Sequence, residues 1–251
     1  MKHRASAAYT LRRLLACSVV LFPLLGQDAA LEHARRVNLE RAANMPNFVA
    51  DEITKRYSSR IGSSKWKYED TIEAEITVRG IQIARQNWRR NGKPLKRLDG
   101  GFMPSTGFSA ALKPLFDLQC PTTLELQGRE EVRGKTALAY RFRSPAEGCF
   151  GNLYGKLGSY NAARTGRVLI DALSGEILQF EEAATDFPEG FGFVQRNQIM
   201  TWDSVKTGDA SHWLPVAADF TWRTYSGELY RTSAEYKNHR HFEAAANITF
   251  K

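Results

Sequence analysis

The sequence lacks the spacings that mark common catalytic sites. Its 251 residues hold no G-x-S-x-G elbow, no P-loop, no G-x-G-x-x-G after a strand and no H-E-x-x-H. The one serine loop of note, Phe102-Met103-Pro104-Ser105-Thr106-Gly107, offers a hydroxyl with neither a base nor an oxyanion site beside it. Histidine is scarce: His3, His33, His212, His239 and His241. His239 and His241 stand two apart and share a strand face. No cysteine or carboxylate stands at a metal-ligand spacing around them, so they read as solvated edge histidines and no metal is expected. The acidic pairs Glu130-Glu131 and Glu181-Glu182 are consecutive. On strands their side chains point to opposite faces, which argues against a two-carboxylate hydrolase site built from either pair. Asp203 and His212 meet across a hairpin at best as a pair without a third partner. No catalytic residue and no cofactor is expected, and a hydrolytic enzyme is the weakest reading.

Also missing is an apolar run long enough to cross a bilayer. The longest, 14–26, is broken by Pro23 and falls short of the about 20 residues a spanning helix needs. It follows Lys2, Arg4, Arg12 and Arg13 and precedes the small residues Ala29 and Ala30. That is the layout of a secretory signal, which predicts removal of 1–30 and an exported protein of periplasm or medium, folded from 31–251 as one domain. Leu14-Leu15-Ala16-Cys17 matches a lipobox only superficially, because it opens the apolar region where a lipobox closes it.

Charge of one sign is not concentrated anywhere. Loss of 1–30 takes four basic residues and one acidic residue, so the net charge falls from +8 to +5. Arg35-Arg36 and Arg89-Arg90 are the adjacent arginines that remain. A nucleic-acid partner is therefore not expected. Of three cysteines, Cys17 leaves with the signal, and Cys120 and Cys149 are expected to form a disulfide in an oxidising compartment. If the hairpin between them centres on Gly134-Lys135, the two face each other near its open end.

What is present is mostly a period of two. Ile72, Ala74, Ile76 and Val78 alternate with polar residues, giving a strand with one dry face. Further strands are expected at 81–88, 122–127, 136–143, 167–171, 177–184, 194–206, 213–225 and 228–238. Turns fall at Gly80, Gly134, Leu173-Ser174-Gly175-Glu176 and Ser226-Gly227, and 248–250 is a candidate edge strand. Residues 31–58 read as helical, broken at Asn44-Met45-Pro46-Asn47, with a second helix at 48–57. A short helix at 108–116 stands between strands. Gly148, Gly151, Gly155 and Gly158 leave 147–159 too flexible for a regular element. No repeat, low-complexity tract or long linker divides the chain. The fold class is α+β: a curved antiparallel sheet with an N-terminal helix and a short helix inserted between strands.

Aromatic residues run through these strands and loops. Trp66, Trp88, Phe187, Phe191, Phe193, Trp202, Trp213 and Trp222 either pack the core or line a concave apolar surface for an acyl chain or another protein's hydrophobic segment.

Several stretches carry a family resemblance. They are Met45-Pro46-Asn47-Phe48, Trp66 with Tyr68-Glu69-Asp70, and Gly107-Phe108 through Leu115-Phe116-Asp117. Further along are Gly134 before Tyr140-Arg141-Phe142, then Gly166-Arg167-Val168-Leu169-Ile170-Asp171 with Ser174-Gly175-Glu176, and Trp213-Leu214-Pro215-Val216. With these the chain resembles exported bacterial proteins of the LolA/LolB-type lipoprotein-carrier fold, most of all an acidobacterial branch. The resemblance implies an unclosed β half-barrel with helices across its open side. It also implies a non-enzymatic binding protein for a lipid or the acyl chain of a lipidated protein. The alternative is a periplasmic sensor or interaction module with a side-chain-filled barrel and an envelope protein as partner.

Overall fold

Alternation of small and large residues with charged ones builds a single wide sheet. In the computed structural model, which describes residues 22–63, 65–80, 82–98 and 108–242, helix α1 (Phe22–Ala43) leads into strands β1 (Phe48–Ser59), β2 (Lys67–Arg79), β3 (Gln82–Arg90) and β4 (Lys93–Pro94). A one-turn helix α2 (Leu112–Phe116) precedes β5 (Thr123–Val132) and β6 (Lys135–Ser144). A small hairpin, β7 (Leu153–Gly155) and β8 (Gly158–Tyr160), is followed by β9 (Arg164–Asp171) and β10 (Ile177–Ala184). The chain then runs through β11 (Gln195–Thr207), β12 (Ala210–Arg223) and β13 (Leu229–His241). Eleven strands form one antiparallel sheet in the order β4-β3-β2-β1-β13-β12-β11-β10-β9-β6-β5. Among the described residues β4 and β5 end that order without pairing with each other, so the barrel is unclosed. Register shifts at Val49/Asp51, Glu73/Glu75, Leu126/Gly128 and Thr201/Trp202 mark bulges, which bend strands and curl the sheet.

Most expected strands and the short helix stand where the period placed them. Three expectations are corrected. Residues 48–57 form β1, not a helix. Phe48, Ala50, Glu52 and Thr54 are buried on one face while Ile53 is only partly so. The inward face carries polar residues, and the apolar letters taken alone had suggested a helical period. Residues 147–159 are not irregular throughout, because β7 and β8 pair there. The β5–β6 turn is Arg133-Gly134, and Val132 faces Lys135, so the ladder runs out of register with the sequence expectation. The disulfide still forms: Cys120 and Cys149 lie beyond the ends of β5 and β6, with Cα atoms 5.5 Å apart. The expected signal falls largely, and the expected strand at 248–250 wholly, outside the described residues.

The buried face is continuous. Phe48, Ile76, Phe142, Phe180, Trp202 and Phe220 belong to one core that also takes in Ala34 of α1 and Leu112, Leu115 and Phe116 of α2. Phe108, just before α2, packs on Phe48 and Tyr236 with ring centroids 5.8 and 4.8 Å away. At the opposite end of the ladders, Phe150 stacks on Phe142 and Phe180. Gly166 in β9 is required by that crowding: a Cβ there would lie 1.9 Å from the Glu181 carbonyl oxygen.

Helix α1 is fastened to the turn between β9 and β10 by polar bonds, with Asn38 at their centre. Asn38 is fully buried, and its Nδ2 donates to Ala34 O (2.7 Å) and Gly175 O (2.8 Å), while its Oδ1 accepts from Ile177 N (3.1 Å). Gly175 has φ +75°, and a Cβ would press on the His33 ring at 2.7 Å, so this turn needs glycine. Asn38→Ala leaves Gly175 O and Ile177 N buried without partners. It is expected to cost about 1–3 kcal/mol and to speed proteolysis between α1 and β1, read by a urea melt and limited digestion.

Candidate functional site

Among the described residues, two clefts on the half-barrel bear on function. The larger, about 450 Å³, lies between the C-terminal half of α1 and the rim of the sheet. Val37, Glu40, Arg41, Asn44, Met45 and Pro46 line it from the helix side and Ser174, Glu176, His212 and Trp213 from the sheet side, so its lining mixes an apolar part (Val37, Met45, Pro46, Trp213) with polar and charged groups. Arg41 pairs with Glu176 across it. The Trp213 indole donates to Ile177 O at 2.7 Å and has the Lys135 ammonium 4.8 Å above its ring, so its orientation is fixed. The Asn44-Met45-Pro46-Asn47 break turns the chain away from the helix axis and leaves the gap open.

The smaller cleft, about 270 Å³, lies at the other end of β1, β2 and β13. Arg56, Asp70, Tyr230 and Thr232 line it. Arg56 grips Asp70 with two bonds of 2.7 and 2.6 Å, and Arg90 stands 3.3 Å from the same carboxylate. The Arg56 hydrogen bond holds the Asp70 carboxyl below the usual carboxylate range.

This cleft ends a row that crosses eight of the eleven strands and is polar over most of its length. In register from β6 to β2 run Phe142, Gly166, Glu182, Gln198, Phe220, Thr232, Arg56 and Asp70. Arg164 and Arg196 stand in the adjacent row at the rim, paired through Ala184. Arg196 donates to Glu182 at 2.8 Å and Gln198 at 2.7 Å. Deeper in, Glu52 takes two bonds from Arg85, 2.5 and 3.0 Å long. Burial and the neighbouring Glu52 push the Tyr236 hydroxyl well up. These buried charges were missed from sequence. The signal that could have found them is parity: Glu182 shares a face with Phe180 and Ala184, and Glu52 with Ala50 and Thr54.

The eight candidate aromatics do not meet in one place. Phe187, Phe191 and Phe193 form a cluster with centroids 4.8–5.1 Å apart, with Tyr160 against it. Trp222 stacks on Phe220 at 5.7 Å, and Trp202 is 1% exposed in the core. Trp213 lines the larger cleft. Trp66 is 37% exposed before β2, and Trp88 lies on β3; neither belongs to the buried core. The interior near Trp202 and Trp222 is filled by side chains.

Of the two histidines expected to be solvated at an edge, His241 is exposed and His239 is not. β13 lies between β1 and β12, so His239 and His241 are on an inner strand. His239 is half-buried against Phe48 with its Nε2 3.2 Å from Pro215 O, and burial lowers its pKa. His241 stacks on His212. Among the described residues no three His, Cys, Asp or Glu side chains gather as a metal site. Asp203 pairs with Arg133 and faces Leu214, while His212 faces Val205, so the two do not meet. Glu181 and Glu182 diverge as expected, the former bonded to Gln179 and the latter buried inside.

Solved structures similar to this chain include a DUF1329 family protein from Desulfovibrio piger, at 12% identity and TM-score 0.39 over 89% of this chain and 96% of that one. Another is a LolA superfamily protein from Nitrosomonas europaea, at 9% identity and TM-score 0.35 over 89% and 97%. A third is the lipoprotein LppX from Mycobacterium tuberculosis, at 14% identity and TM-score 0.26 over 84% and 97%. The LolA superfamily stands among these neighbours. No family model and no curated protein matches the chain. The half-barrel rests on the strand order and register of the chain itself. No helix among the described residues is long and apolar enough to cross a membrane.

Proposed function

We propose that the chain is an exported, non-enzymatic binding protein that takes up a hydrophobic ligand, a lipid or the acyl chain of a lipidated protein, in its half-barrel. The observation that carries this reading is the gap of about 450 Å³ between α1 and the Trp213 rim. It falls within the about 300–1,000 Å³ of small-molecule sites. It adjoins the core through Met45 and Trp213. Helix α1 is fastened beside it through Asn38, which holds this wall of the gap in place. Fluorescent acyl probes titrated into delipidated protein test this. Saturable binding that weakens in Trp213→Ala is expected, and no saturable binding across chain lengths overturns it.

A second reading, an interaction module whose partner is an envelope protein, is favoured by the packed interior around Trp202 and Trp222. It is distinguished by a stable partner recovered from envelope fractions without any acyl binding.

A further inference from the structure

The cluster of Arg164, Glu182 and Arg196 holds more positive charge than it neutralises. The side chains are 2%, 5% and 3% exposed. One carboxylate serves two guanidiniums: Glu182 lies 2.8 Å from Arg196 Nη1 and 3.5 Å from Arg164 Nε. Arg196 completes its set with Gln198 and a contact on the Phe220 ring at 5.2 Å. Arg164 does not. Its Nη2 donates to Gly151 O at 3.0 Å and its Nε meets Glu182 only at the ion-pair distance of 3.5 Å, but Nη1 is buried with no acceptor. The Ser144 hydroxyl, on the residue paired with Arg164 across β6 and β9, is likewise buried and unbonded. The charges acting on Arg164 are Glu182, which favours its charged form, and Arg196, which opposes it; burial lowers the pKa of both arginines. A cation only partly balanced is expensive to bury, and a guanidinium with an unmet N–H beside an unbonded hydroxyl is a donor set suited to an oxyanion.

We infer that Arg164, with Ser144, forms an anion subsite that takes the carboxylate or phosphate of a ligand and completes the charge balance of the Glu182–Arg196 pair. Gly151, whose carbonyl holds Arg164 Nη2, lies in the segment joining β6 to β7. The subsite stands at the opposite end of the ladders from the gap under α1. The inference is therefore independent of acyl binding there, and Trp213→Ala leaves it untouched.

Thermal melts of the intact protein test it, with sodium octanoate in one arm and sodium phosphate in the other. Ionic strength is held constant with sodium chloride. A saturable rise in Tm is expected. Response to phosphate identifies a free oxyanion as sufficient; response to octanoate alone identifies an amphiphile's carboxylate. Arg164→Met keeps the volume and removes the surplus charge, so it is expected to melt no lower than the parent and to lose the anion response. Ser144→Ala leaves the charges in place and is expected to weaken the apparent affinity about tenfold. It decides the matter should Arg164→Met fail to fold. No saturable response in either arm overturns the inference. So does a response that is undiminished in Arg164→Met, or undiminished in Ser144→Ala should Arg164→Met not fold.

Discussion

Replacing both Cys120 and Cys149 by serine is expected to lower the stability by about 3–4 kcal/mol, read as a shift of the urea midpoint against the oxidised parent. The bridge closes a loop across a sequence separation of 29 residues. Most of the loss arises because the open chain has more conformations to give up on folding. Part is local: Cys149 precedes Phe150, whose ring lies 5.9 and 6.2 Å from Phe142 and Phe180. Without the tether that stack competes with free motion of the segment joining β6 to β7. Near-UV circular dichroism of the folded variant is expected to stay close to the parent, because the bond lies outside the β5–β6 ladder. An unchanged midpoint would mean that the stack and the β7–β8 hairpin alone hold this segment.

The same region shows what was legible in the sequence. The cysteine pair was readable from number and compartment, but the geometric reason was not. The ladder turns at Arg133-Gly134 and shifts register between Leu126 and Gly128, and neither is visible in the composition of the two strands. Strands with apolar alternation, such as β2, could be read, and so could β9 and β10 around their Ser-Gly-Glu turn. β1 could not, because Glu52 and Thr54 face the core and Ile53 does not. The same blindness covered the candidate site. Charged residues add nothing to an apolar period, so the row from Glu182 to Asp70 is not visible in it. Trp213 was a candidate, yet the gap it lines depends on where Asn38 fixes α1, a contact across 137 residues of chain. Polar groups buried by tertiary pairing are thus the part that period and composition hide.

Those buried charges carry the other large effect. Glu182→Gln is expected to destabilise the protein by about 3–5 kcal/mol, because it keeps the shape and removes the one charge facing two buried guanidiniums. The loss comes from stranding Arg164 and Arg196, so it depends on their presence. Glu182→Gln combined with Arg164→Met is expected to recover a large share of it, since one surplus charge then goes with the carboxylate. Replacing all three by apolar residues of similar volume is expected to come close to the parent, because desolvation offsets much of a buried pair's attraction. Urea melts of these proteins and of Arg164→Met alone form the measurement, with the coupling read from the Glu182–Arg164 cycle. If Glu182→Gln costs under about 1 kcal/mol, water reaches the cluster and the charges are not isolated. If the cost is large and Arg164→Met recovers none of it, the carboxylate matters to Arg196 alone. The surplus charge on Arg164 then has no energetic standing, and the case for an anion beside Ser144 falls with it.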